Sequence, residues 1–141
     1  MSYSTPAIAA SPFAAIPFVP GTATEPTTAQ IQEWLDKHTV VLDSILTGLG
    51  YTSPTDTESD AYAWCAEANR LYVGSQIGAA LDAPRDAENH PAIYLKRLYD
   101  EMMAQLRNGD FDALFDTAGT TANAYGSENF PDAVYSWTTE W

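Results

Sequence analysis

Positive charge is scarce in this chain. Six lysines and arginines stand against nineteen aspartates and glutamates, a formal net charge of −13 over 141 residues. The six cations, Lys37, Arg70, Arg85, Lys96, Arg97 and Arg107, all lie in the middle of the sequence. Such a chain is repelled by nucleic-acid phosphates and by anionic membrane surfaces. It suits a basic protein surface, or the charge serves solubility alone. Cysteine is nearly absent: Cys65 is single, which excludes an internal disulfide and fits a reducing compartment without requiring one. No apolar run reaches about 18 uninterrupted residues, so no membrane span is read. Residues 7–19 are apolar, yet no Lys or Arg precedes them and Pro12 and Pro17 break the run, unlike a secretory leader. The expectation is a soluble intracellular product.

The motifs of catalysis and metal binding are missing as well. There is no glycine-rich phosphate loop, no G-x-S-x-G turn and no pair of cysteines, and His38 and His90 stand alone without metal-ligand spacing. Asp110 and Asp112 could pair as general acid and base, but read better as an acidic loop after a helix. Asp56, Glu58 and Asp60 alternate like the opening of a calcium loop, whose glycine and distal bidentate glutamate are absent. Acids just before a helix also stabilise its N-terminal dipole, which is the preferred reading. The chain is therefore expected to be no enzyme and to carry no cofactor or metal.

What is present is a helical stretch between two arms. Residues 1–26 form a Pro/Ala-rich arm whose five prolines remove donors and fix φ, which predicts an extended or polyproline-like path. Residues 27–116 carry the helical signals. Thr27-Thr28-Ala29-Gln30 has the form of a capping box. Ile31, Trp34, Leu35, His38, Val41, Leu42, Ile45, Leu46 and Leu49 then recur at steps of three and four, which predicts a helix over 28–48 stopped by Gly48 and Gly50. His38 lies on that stripe and reads as a hydrogen-bonded histidine at the core edge rather than a ligand or switch.

A second helix is predicted over about 58–81. Its small residues Ala61, Cys65, Ala68, Ser75 and Ala79 fall in line, so that another helix can approach closely, and bulky residues on both flanks suggest cover on more than one side. Cys65 reads there as packing, not as a nucleophile. Pro91 suits the first position of a third helix, with the stripe Ile93, Leu95, Leu98, Tyr99, Met102 and Leu106, ended by Asn108-Gly109. Residues 110–115 are expected to add a short turn, with Phe111, Leu114 and Phe115 as a lid on the core. Residues 117–141 form a Gly/Thr/Asn-rich arm ending in aromatics. The fold class read is all-α: a small bundle of three main helices plus a short one, with extended N- and C-terminal arms.

Arms with so little apolar surface cannot fold alone, and partners are expected to hold them. Terminal aromatics without a core of their own are candidate interface anchors. The candidate interface residues are Phe130, Tyr135, Trp137 and Trp141 in the last arm and Phe13, Ile16 and Phe18 in the first. The alternative is that Trp137 and Trp141 fold back on the chain's own helices.

Three stretches give this layout a resemblance to the head–tail connector, or adaptor, proteins of tailed bacteriophages. They are the helix from Thr28-Ala-Gln-Ile-Gln-Glu-Trp-Leu through Leu42-Asp43-Ser44-Ile45-Leu46, the loop Gly50-Tyr51-Thr52-Ser53-Pro54, and Tyr94-Leu95-Lys96-Arg97-Leu98-Tyr99 running to Asn108-Gly109-Asp110-Phe111. The resemblance covers roughly residues 27–116, and the long Pro/Ala arm departs from it. It implies a structural virion protein of the neck, made in the host cytoplasm. Such proteins assemble as a ring, typically of twelve copies, below the portal protein, and their C-terminal arms dock on the portal. The ring extends the DNA channel, through which DNA passes without specific binding, and meets the next neck or tail protein. A second reading, from the charge, is an acidic DNA mimic that inhibits a host nucleic-acid-binding protein.

Overall fold

The computed structural model of the chain describes residues 1–13, 26–81 and 91–117. Among these the protein is all-α. The helices are α1 (Pro6–Ala10), α2 (Thr28–Gly48), α3 (Asp60–Ala80) and α4 (Pro91–Arg107), with a 3-10 turn over Ser11–Phe13. The three long helices start and stop where their local chemistry dictates. At the head of α2, the Thr27 hydroxyl accepts the Gln30 N–H and the Gln30 side chain accepts the Thr27 N–H, so the capping box is complete. Ser59 caps α3 through the Tyr62 N–H. Beyond the ends of α2 and α4, Gly50 and Gly109 adopt φ of +87° and +82°, the left-handed conformation that releases a helix into a turn.

The three helices alternate in direction. His38 of α2 stacks on Tyr72 of α3, and Tyr72 packs on Tyr99 of α4. Trp64, near the start of α3, meets Phe111 and Phe115 beyond the end of α4. Central among them is α3, with buried residues all round from Ala61 to Gly78, so it shows no clear polar face. Close approach occurs at Gly74 and Gly78, which lie on a different side of α3 from the predicted line Ala61, Cys65, Ala68, Ser75 and Ala79. A Cβ at Gly74 would lie 3.2 Å from Leu95 of α4, and one at Gly78 would lie 3.0 Å from the Ala92 Cβ.

The buried faces differ in detail from the sequence stripes. Val41 and Ile93, assigned to core faces, are about half exposed, while Thr39 and Met103 are buried. A stripe of threes and fours is wider than the strip of helix that two neighbours can cover. Residues 110–115 form hydrogen-bonded turns rather than a helix, with the Leu114 and Phe115 N–H groups donating to the Phe111 carbonyl. Phe115 is buried and Phe111 and Leu114 pack on the core, so the expected lid is present without the helix.

The larger correction concerns the first arm. Residues 1–13 are not extended outside the bundle but packed on it. Thr5 caps α1 and Pro6 takes its first position. The segment follows α3: Tyr3 meets Tyr62 edge-on, the Ala9 carbonyl lies against Gly74, and Phe13 fills the notch at Gly78. Ala9 and Phe13 are fully buried. Their i,i+4 spacing turns them to one side of the short helical stretch while Ile8 stays exposed. Pro26, at the other end of the arm, is buried too, so the arm is fastened on both sides of residues 14–25.

Two consequences can be measured by urea denaturation. Phe13→Ala is expected to cost about 3–5 kcal/mol, the range for emptying a buried aromatic site, whereas a residue on a free arm would cost nothing. Gly78→Ala is expected to destabilise by about 1–3 kcal/mol through overpacking, because the new Cβ meets the Phe13 ring at 2.9 Å. Gly48→Ala, with open space around the same atom, should be neutral or slightly stabilising.

Candidate functional site

Two places concentrate polar or exposed chemistry in an otherwise apolar bundle: a buried cluster at the centre and a groove on the surface.

The cluster is built on His38. The Asn69 side-chain N–H donates to the His38 Nδ1 at 3.1 Å and to the Leu35 carbonyl at 3.2 Å. An amide nitrogen is a donor only, so Nδ1 is the accepting nitrogen and the proton sits on Nε2. Nε2–H then donates to the Tyr99 hydroxyl at 2.9 Å. Tyr72 stacks on the imidazole with ring centroids 4.2 Å apart. Burial, helped by the nearby Lys96 charge, lowers the His38 pKa from 6.5 to about 4, and burial pushes Tyr99 up to about 12. Both groups are neutral at physiological pH. This is the hydrogen-bonded core histidine that the sequence suggested, with the partners now named.

A half-buried pair ties down the first residues. The Tyr3 hydroxyl donates to Asp43 at 2.5 Å, and Cys65 lies beside them, fully buried. Burial, reinforced by the Asp43 charge, raises the Cys65 thiol to about 12. It remains protonated, and a protonated, enclosed thiol is a poor nucleophile.

The acidic candidates are engaged locally. Asp56 accepts the Glu58 N–H through its carboxylate and the Ser59 hydroxyl through its carbonyl, shaping the turn into α3. Asp112 accepts the Tyr51 hydroxyl. Among the described residues no three His, Cys, Asp or Glu side chains converge on a common point. Nor is any described helix long and apolar enough to cross a membrane.

Of the candidate interface residues, only Phe13 falls within the described part, and there it belongs to the core of its own chain. Ile16, Phe18, Phe130, Tyr135, Trp137 and Trp141 lie outside the described residues. The surface does carry an apolar feature that sequence reading missed. A shallow groove of about 740 Å³ runs between α3 and α4, floored by Tyr72, Ala79, Ala92, Ile93 and Ala104 and edged by Lys96 and Arg97. Ile93, in its lining, is 51% exposed, and the neighbouring Tyr94, outside the lining, is 52% exposed. Lys96 pairs with Asp100 at 2.5 Å and Arg97 lies over the Tyr94 ring. A smaller cleft beside it shares Tyr72 and Gln76 and brings in Lys37 of α2. The signal was available in α4, where Ile93 and Tyr94 stand next to each other and cannot both face the core.

The described chain runs out at opposite ends of the bundle. Phe13 sits at the last turn of α3 and the first turn of α4. Thr117 forms an antiparallel bridge with Tyr51, and the Thr52 N–H donates to the Asp116 carbonyl at 2.7 Å, beyond the end of α2. Along α3, Trp64 (which touches Phe115) and Gly78 (which touches Phe13) are separated by roughly 20 Å at 1.5 Å per residue.

No family model, curated protein or solved structure matches the chain.

The His38 cluster makes a pH prediction. The folded-state pKa is depressed, so protonation favours the unfolded chain. The associated stability is complete above pH 6.5 and is lost as pH falls from 6.5 to about 4. A shift of this size corresponds to about 3 kcal/mol. Urea midpoints measured across that window for wild type and His38→Gln should differ most near neutrality or above. The gap should close towards pH 4, which separates His38 from the carboxylates common to both proteins.

Proposed function

We propose that this protein is a structural head–tail connector of a tailed bacteriophage. Copies of it form a ring beneath the portal, extend the DNA channel and join the capsid to the tail, placing the protein in the virion neck. The observation that carries the reading is the two-ended bundle. In this acidic helical unit Thr117, the residue before the aromatic stretch, lies at one end, and Phe13, the residue before the apolar stretch 14–25, lies at the other. A protein that must bridge a component above and a component below needs two such ends.

Other features support the reading. The three stretches that carry the resemblance correspond to structural units: α2, the Tyr51 loop that receives the start of the C-terminal segment, and α4 with its Gly109 turn. The negative charge has a physical use, since an acidic channel wall does not grip DNA and the genome can pass. The interface residues proposed are Phe130, Tyr135, Trp137, Trp141, Ile16 and Phe18, against the portal or a neighbouring copy. Phe13 is withdrawn from this set, because it is buried in its own core.

The test is to mix the purified chain with the portal ring of the same phage and weigh the complex by native mass spectrometry. About one copy bound per portal subunit is expected. A chain lacking residues 118–141 should keep its helical circular dichroism and lose that uptake. Equal uptake by the truncated chain would remove the role of the aromatic segment. Absence of uptake by the full chain, together with salt-sensitive binding to a basic DNA-binding protein, would favour the DNA-mimic reading instead.

A further inference from the structure

We infer that the α3/α4 groove is the receptor for the C-terminal aromatic segment of a second copy of this chain. The inference deepens the ring reading by naming its copy-to-copy contact. Its test needs no portal, so failure of this contact and failure of portal docking are told apart.

The first argument is chemical fit. The groove is apolar along its floor, where Ile93 is half exposed. An exposed apolar surface of this kind marks an interaction site. Residues 118–141 supply the complement: Phe130, Tyr135, Trp137 and Trp141 within the last dozen positions, with no apolar cluster of their own large enough to make a core.

The second argument is charge. Residues 118–141 contain Glu128, Asp132 and Glu140 and no lysine or arginine. A bundle of net negative charge repels such a segment almost everywhere. Among the described residues the groove gathers positive charge, because Lys96 and Arg97 line it and Lys37 lies in the adjoining cleft, which places three of the chain's six cations around one apolar strip. Lys96 pairs with Asp100 and Lys37 with Glu33, and Arg97 balances Glu101 in number, so the strip is locally neutral in an acidic molecule.

The third argument is placement. The described chain ends at Thr117, bridged to Tyr51 at one end of the bundle, while the groove runs along α4 from Ala104 to Ala92 and Ile93 at the other end. A donor at one end and an acceptor towards the other give a head-to-tail contact, and repetition of such a contact closes a ring or extends a filament.

Full-length variants test this by sedimentation at several concentrations. Wild type is expected to self-associate. Ile93→Asp, which spoils the groove, and Trp137→Ala/Trp141→Ala, which spoils the segment, should each sediment as monomers with unchanged helical content. Because Ile93 is half exposed, the first variant should fold; Ala104→Asp gives a second groove variant at its far end. Mixed, the two classes should restore association as a one-to-one heterodimer of twice the monomer mass, since one partner keeps its groove and the other its segment. A wild type that stays monomeric overturns the inference, as it means that the groove holds the chain's own segment or takes another partner. Association that survives Ile93→Asp and Ala104→Asp overturns it as well.

Discussion

Close approach to α3 is the constraint on which the rest of this protein depends. Gly74 and Gly78 leave no side chain between the helix and what lies against it, and two elements use the space. The first turn of α4 comes in at Leu95 and Ala92, and the N-terminal segment lays Ala9 and Phe13 into the same notch. A bundle this small has a poor ratio of buried to exposed surface, and the added segment covers a side of α3 that two helices alone would leave open. The cover in turn allows α3 to be apolar nearly all round.

Polar groups enter this core only where partners are at hand. His38 is held on both nitrogens, by Asn69 and by Tyr99, with Tyr72 stacked on one face and the Tyr99 ring edge-on to it. The arrangement links α2, α3 and α4 through one side chain. Hydrogen bonds of this kind add little net energy but penalise any register in which a partner is displaced. The cluster is thus better understood as fixing how three helices align than as chemistry in waiting.

Much of this was legible in the chain itself. Capping boxes, glycines after helices and a proline at a first helical position are local devices, and Thr27, Gln30, Gly50, Pro91 and Gly109 placed the long helices with little ambiguity. The first thirteen residues were misread because proline has two meanings. Pro6 after Thr5 begins a helix, whereas a series of prolines suggests an extended chain, and only the notch at Gly78, a tertiary feature, decides between them. Phe13 was accordingly taken for an anchor to a neighbour when its partner lay 65 positions further along its own sequence. The groove escaped notice for a related reason. Periodicity ranks residues by hydrophobicity and has no term for how many neighbours a helix acquires, so Val41 and Ile93 looked as buried as Leu42 and Leu95.

The two ends of the bundle have a mechanical meaning. At one end Phe13 is lodged between α3 and α4; at the other Thr117 is stitched to Tyr51, whose hydroxyl reaches Asp112. A pull applied between these points acts along the helix axes. Under such a load the helices must slide past one another in shear, with the contacts of α3 resisting together, whereas a pull across the bundle would peel them apart in turn. The fold is therefore oriented to carry tension lengthwise.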